Sequence, residues 1–587
     1  MNSTNTVEIK PDVLGHPSQL FVLFFTEMWE RFSYYGMRAL LVMFFTAALM
    51  ESGGGGWGWP REHAYAIFGT YTSLVYLSCL LGGWMADNKI GYRYAVLVGA
   101  LLMTIGHGCM ALETPFFIYT GLGFLVFGSG FFKPNMTSII SEMYKNHSEK
   151  KDGAYTIFYM GVNAGAFLGI LLCGYLGEKV GWSLGFGLAG IFMLFGLLQF
   201  WFAQDIFGNI GLKPSKTDAA RVLEEGETSF NYFTSTQLGL ASISAIFSLA
   251  WIINDPISKI SEGEINIVGF LDGIIPEVSG SNLLILTALA LFLTVLGMRL
   301  PKYAPVVRDR MLAVIFFAFV TVFFWALFEQ APASLTIFAK DYTARGLVGS
   351  GALTFKIVNS LMTIIPLSII TWVLFLLFKK TFKNYALSNI FLATSFVIIW
   401  AIAIWMLYTE FQTDKTEVPA SWFGVLNSLY IIAFAPLFSK WWESKYNPNA
   451  NMKYAIGMFL LGLGMAVVAI AASGIAPGAE TAAVSIFWLA AVYLFHTLGE
   501  LCVSPVALSY VSKLVPGRMI AFMFGMWYIA VAIGMKLAGV FGEMSEDVAK
   551  DHGLSYFFWI LTGIAMGLAI LSAVLYPVVK KLMHGIR

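Results

Sequence analysis

Charge is scarce in this sequence. Asp, Glu, Lys and Arg make up 12% of its 587 residues, about half the share carried by soluble domains. That excludes an ordinary water-soluble globular chain. The few charges nearly cancel, at a net +1, so neither a nucleic acid nor a strongly acidic partner is implied. Cysteine is rarer still. Cys79, Cys109, Cys173 and Cys502 each fall inside an apolar run, without the spacing of a disulfide framework or a metal site. The chain also lacks a phosphate-binding loop, a nucleophile set beside a base, and a large polar region, which argues against an enzyme. Residues 1–18 are short and polar, and charge interrupts the first apolar run. A cleavable signal peptide is therefore not expected.

What remains is hydrophobic, at 58% of the residues. Apolar runs of about 20 residues, each long enough to cross roughly 30 Å of hydrocarbon, recur along the chain. They predict an all-α, multi-pass membrane protein. Spans are expected at 19–50, 62–86, 92–111, 114–142, 153–176 and 181–203, then at 235–253, 281–300 and 311–338. Further spans follow at 353–378, 386–409, 420–442, 453–473, 483–512, 519–542 and 555–580. That is about sixteen transmembrane helices. Basic residues gather on alternate connections, as in KNHSEKK (145–151), RLPKYAPVVRDR (299–310) and KKTFK (379–383). The positive-inside rule then places both termini in the cytoplasm.

Against this background the first span is anomalous. FFTEMWERFSYYGMRALLVMFF (24–45) carries Glu27, Glu30, Arg31 and Arg38. Each charge facing lipid at mid-helix would cost about 2.5–3.5 kcal/mol on the insertion scale. With Tyr34 and Tyr35 the four charges share an arc of about 140°, opposite Met28, Trp29, Phe32, Gly36 and Leu40. An interhelical staple needs only one or two charges. Four charges and two phenols on one stripe fit a lined cavity better. Other spans add polar intrusions: Lys133 in GSGFFKPNM, Tyr155, Tyr159 and Asn163 every four residues, Trp325 and Glu329 in FFWALFEQAP, and His496, Glu500 and Ser504 in HTLGELCVSP. Carboxylates and cations on separate helices suggest a central polar site and a proton relay. A channel could use the same elements, but helices broken by Gly and Pro and a balance of acid and base favour a transporter.

GGWMADNKIGYR (82–93) resembles the loop of the major facilitator superfamily in which Asp87 and Arg93 brace the cytoplasmic gate. TEMWERFSYYGMR, FGSGFFKPNM, FYMGVNAGAF, FWALFEQAPASL and LGELCVSPVALSYVSKLVPGRM together resemble the proton-coupled oligopeptide transporter (POT, or PTR) family of that superfamily. The resemblance implies two six-helix bundles, a proton as coupling ion and no cofactor. It implies import of di- and tripeptides by alternating access through a multi-pass cell-membrane protein, in the bacterial inner membrane, with no obligatory protein partner. Another small zwitterion or anion, such as an amino acid, nitrate or a peptide-like conjugate, is the alternative cargo.

By the same resemblance Glu27, Glu30, Arg31, Lys133 and Glu329 are coupling residues. Arg38 would hold the substrate carboxylate, and Glu500 its amine. Tyr34, Tyr35, Tyr76, Tyr159, Asn163, Trp325, Asn427, Ser504, Trp527 and Tyr528 complete the binding site. Phe328 stands where some members carry a second glutamate, and Gly69 where animal members carry a histidine. The implied organisation is a tail (1–18), an N-terminal bundle (19–203), a linker with two extra helices (204–310), the first helix of the C-terminal bundle (311–338), an inserted helix pair (339–410), the rest of that bundle (411–581) and a tail (582–587). The inserted pair is not usual for the family. It makes VNSLMTIIPL (358–367) a rival to LNSLYIIAFAPL (426–437), and hence Asn359 a rival to Asn427. PASWF before the second run and a basic loop after it favour Asn427.

Overall fold

The computed structural model describes residues 12–49, 55–145, 148–213, 233–276, 278–514 and 520–586. Most of the expected N-terminal tail (1–11), residues 146–147 of the basic run, 214–232 of the linker and the last residue of the C-terminal tail lie outside the described residues.

Helices dominate, as the apolar runs require, because only a helix or a closed barrel satisfies its own backbone in hydrocarbon. They are α1 (Ser18–Thr46), α2 (Arg61–Met85), α3 (Tyr92–Met110), α4 (Pro115–Met143), α5 (Ser148–Lys179) and α6 (Trp182–Ala203). Then come α7 (Ser235–Ile260), α8 (Gly280–Arg299), α9 (Pro305–Phe328), α10 (Ser334–Tyr342), α11 (Gly349–Thr381) and α12 (Ala386–Phe411). The last are α13 (Val425–Glu443), α14 (Ala450–Ala471), α15 (Ile486–Leu514), α16 (Ile520–His552), α17 (Leu554–Val574) and α18 (Tyr576–Leu582). Among the described residues 15 helices are long and apolar enough to cross a membrane. The charged stripe keeps α1 off that count, although its 29 residues suffice in length.

α1–α6 form one bundle, with α1 packed on α5 and α6, and α3 on α4 and α6. α9 and α13–α17 form the second, with α14 packed on α15 and α17, and α16 on α9. This is the major facilitator arrangement. The bundles meet along two seams, α2 against α16 and α5 against α13. Small residues permit the approach. A Cβ on Gly69 would come 2.9 Å from Gly539 Cα across the first seam, and one on Gly165 would come 2.2 Å from Met28 O where α5 crosses α1.

Each extra hairpin sits at one seam. The α7–α8 pair packs on α2 and is pinned by ion pairs. Asp255 of α7 accepts from Lys259 at 2.7 Å and from Lys536 of α16. The α11–α12 pair lies at the other seam, against α6. Ser388 donates to Gln199 O at 2.8 Å, Phe396 meets Phe25 and Trp29 with ring centroids 5.8 and 5.6 Å apart, and Phe355 stacks on Trp422. So this pair, though inserted among the C-terminal helices, rests largely on the N-terminal bundle. A short antiparallel ladder closes its base, β2 (Gly346–Val348) on β3 (Lys415–Glu417), while β1 (Thr343–Ala344) runs parallel to β4 (Val484–Ser485).

One expected helix is not continuous. The run 311–338 breaks after Phe328 and resumes at Ser334. Pro332, which has no N–H to donate, sits in the gap. Gln330 fills the lost bonds: its Nε2 donates to Ala326 O and Ala538 O at 3.0 Å, and Ser334 donates to its Oε1 at 2.7 Å.

Candidate functional site

The stripe on α1 faces inward. Glu27 and Glu30 are buried, and Arg31 lies between them, with Nε 2.7 Å from Glu27 Oε1 and 3.1 Å from Glu30 Oε2. One guanidinium thus serves two carboxylates. Among the described residues Glu27 Oε2 and Glu30 Oε1 have no hydrogen-bond partner, so the cluster is short of donors. The helical spacing explains its composition, since residues one turn apart stack on one face. Lys133 of α4 does not complete the cluster. Its ammonium sits over the Tyr34 ring at 3.8 Å and the Tyr76 ring at 5.2 Å, held by the π faces.

Two turns along α1 from Arg31, Arg38 reaches the other bundle. Its Nη1 donates to Glu329 Oε2 at 2.8 Å, and its guanidinium lies 4.9 Å from the Tyr35 ring and 5.4 Å from the Tyr34 ring. Glu329 is the residue at which α9 unwinds. The break therefore presents a carboxylate at the bundle interface, one turn beyond the half-buried Trp325. The residues expected to hold a substrate carboxylate and to carry a proton are here each other's partner.

The C-terminal bundle contributes a second polar group. Asn427 Nδ2 donates to Glu500 Oε2 at 2.9 Å and to Thr497 Oγ1 at 3.0 Å. Asn359 lies elsewhere, buried in α11 with its Oδ1 3.4 Å from the Thr363 hydroxyl. Ser504, one turn past Glu500, has no hydrogen-bond partner among the described residues. Tyr528 and Tyr76 face one another across the first seam, with ring centroids 6.3 Å apart. The neighbouring Trp527 is buried. Tyr159 is 42% exposed, while Asn163 spends its amide on the Tyr159 carbonyl at 2.9 Å.

A further set of contacts between the bundles lies at one end. Arg61, at the start of α2, meets Asp341 at 2.7 Å and Glu546 at 3.2 Å. At the second seam Glu178 of α5 accepts from the backbone N–H of Ala420 at 2.7 Å and of Ser421 at 2.9 Å, and from the Ser421 hydroxyl. A carboxylate thus caps the turn Ala420–Gly424 that opens α13, where free N–H groups and the helix dipole favour an anion. Trp422 donates its indole N–H to Leu171 O at 2.9 Å. Sequence reasoning missed all of these. Arg61 follows Pro60 at a helix start, but nothing in the sequence names a partner 280 residues away.

At the opposite end Arg93 does not meet Asp87. Its guanidinium donates to the carbonyls of Gln204, at 2.7 Å, and of Gly208, clasping the end of α6, whereas Asp87 is exposed in the turn Ala86–Ile90. Arg93 thus ties the start of α3 to the end of α6 within the N-terminal bundle, and among the described residues it makes no ion pair with Asp87.

The POT family model matches residues 93–223 and 390–560. The peptide transporter YePEPT of Yersinia enterocolitica is 31% identical over 580 residues, covering 97% of this chain and 96% of that protein. The chain belongs to the POT family. A di-/tripeptide transporter of Lactococcus lactis subsp. cremoris is 27% identical over 573 residues, covering 97% and 96% of the two chains. The crystal structure of peptide transporter POT in complex with sulfate superposes with a TM-score of 0.67 at 28% identity, covering 99% of this chain and all of that one. As a POT-family protein this is a membrane transporter and not an enzyme.

Proposed function

We propose that this protein is a proton-coupled symporter that imports di- and tripeptides across the cell membrane by alternating access. The observation that carries the reading is the placement of Arg38 and Glu329 at the bundle interface, 2.8 Å apart, with the Asn427–Glu500 pair on the C-terminal side. A dipeptide is a zwitterion. Its ammonium fits two acceptors, Glu500 and the Asn427 amide oxygen, and its carboxylate fits a guanidinium. Arg38 is occupied by Glu329, however. A proton on Glu329 removes that competitor and frees Arg38 for the peptide. Proton and substrate then load together, and this is what symport requires.

Arg31 shared by Glu27 and Glu30 supports a second protonation step on the N-terminal half. A proton on either acid loosens the cluster and alters the packing of α1 on α5. Contacts to peptide termini ignore side chains, while Tyr35, Tyr76, Trp325 and Tyr528, all partly exposed, offer broad faces to many residues. Promiscuity follows. With both termini in the cytoplasm, the end sealed by Arg61, Asp341, Glu546 and Glu178 is the extracellular one, and the structure is the state closed to the outside. The names of the relatives favour peptides over other zwitterions.

The test is uptake of radiolabelled dialanine by proteoliposomes under an imposed pH gradient, with a panel of di- and tripeptides, amino acids and nitrate as competitors. Accumulation that requires an alkaline interior and is blocked by peptides supports the reading. Uptake blocked by nitrate or free amino acids and untouched by peptides contradicts it.

A further inference from the structure

Asn427 meets Thr497 as well as Glu500, and the chemistry of that contact is one-sided. The Thr497 hydroxyl has a single hydrogen, and Tyr493 O lies 2.7 Å away to receive it. Toward Asn427 Nδ2, at 3.0 Å, Thr497 Oγ1 is therefore an acceptor. The Glu500 carboxylate is an acceptor too. With an acceptor for each N–H, the amide fits in one orientation, with its nitrogen toward α15 and its oxygen turned from both partners. Asn427 is partly exposed, and its oxygen is not among the buried polar atoms without a partner.

The two acceptors differ in constancy. Glu500 titrates, and it shares its oxygens with an arriving ammonium. Thr497 is wholly buried, bonded within its own helix, and does neither. Without it the amide is held only by the group that the substrate engages, and it can turn its NH2 toward the ligand. A donor would then face a donor.

We propose that Thr497 is a positioning residue that keeps the Asn427 amide oxygen toward the substrate ammonium and so sets the selectivity of this half of the site for an amine. The proposal rests on the reading that Glu500 and Asn427 receive the peptide amine. It goes beyond that reading by assigning selectivity to a residue that never touches the substrate.

The experiment compares binding of dialanine with that of N-propionyl-alanine, the same molecule without the amino group. Thr497→Val, which keeps the shape and loses the hydroxyl, should weaken dialanine binding on the order of fivefold, the scale of one net hydrogen bond. It should leave N-propionyl-alanine unchanged, and Thr497→Ser should restore the wild-type ratio. Equal weakening of both ligands, or of neither, overturns the proposal. Glu500→Gln, measured with the same pair, separates the two layers. If it too leaves the preference for dialanine intact, the amine assignment itself is wrong. If it abolishes the preference while Thr497→Val does not, only the role of Thr497 fails. Should Thr497→Val not fold, Thr497→Ala with Thr497→Ser as control carries the same test.

Discussion

Glu27, Glu30, Arg31 and Arg38 show what single residues reveal and conceal. Their spacing already places them on one face, and the cost of burying charge in hydrocarbon demands partners. Which partners they take was not legible. Arg38 joins Glu329 across 291 positions, and only the meeting of two bundles decides that. Lys133 was expected beside the acids but rests on the Tyr34 and Tyr76 rings, because an ammonium on a long stem has several attractive seats within reach. Asn427 was separable from Asn359 by flanking sequence, and the geometry sets Asn427 beside Glu500. The expected consequence is measurable by peptide binding. On the proposed amine assignment Glu500→Gln removes the charge partner of the ammonium and should cost on the order of 2–5 kcal/mol in dialanine affinity. Asn427→Ala should weaken binding markedly, whereas Asn359→Ala should leave it near wild type. The opposite order for the two asparagines would return α11 to the substrate site.

At the scale of elements, helix existence was readable from length and hydropathy, but the break in 311–338 was not. A proline inside a membrane helix often bends it without interruption, and here Gln330 supplies the bonds that let the chain unwind at Glu329. The positions of the added hairpins were equally hidden, since lipid-facing surfaces carry no mark of their neighbours. The fastening of α11–α12 to α1 and α6 yields a prediction. Phe396→Ala opens space against Phe25 and Trp29, and buried Phe→Ala changes cost about 3–5 kcal/mol in soluble cores. A clear fall in the thermal unfolding midpoint in detergent is expected, with peptide affinity at 25 °C little changed. Loss of affinity without loss of stability would mean that the hairpin acts on the site and not on the scaffold. The Glu178 cap gives another. Glu178→Ala removes the acceptor for the Ala420 and Ser421 donors and should shift the population toward a form open at this end. Spin labels at the Lys179 end of α5 and the Val425 end of α13 would report a longer distance, and an unchanged distribution would show that the Arg61 cluster alone keeps that end shut.

The whole molecule is two bundles meeting along two seams, each seam flanked by one extra hairpin, with ions concentrated at one end and at the centre. In the proposed transport cycle such a body rocks. For the end joined by Arg61 and Glu178 to open, those contacts must break, and the Arg38–Glu329 pair also links the two bundles. Moving one charge across 100 mV is worth about 2.3 kcal/mol, which is enough to concentrate substrate tens of times over if proton and peptide loading are linked. The most direct measurement is counterflow and pH-driven uptake of dialanine on the same vesicles for Glu329→Gln, with Glu27→Gln and Glu30→Gln beside it. Coupling through these acids predicts that pH-driven accumulation disappears while peptide-for-peptide counterflow survives at least in part. If both activities fall together in folded protein that binds peptide normally, these acids gate the rocking itself, and the division between coupling and binding residues is wrong.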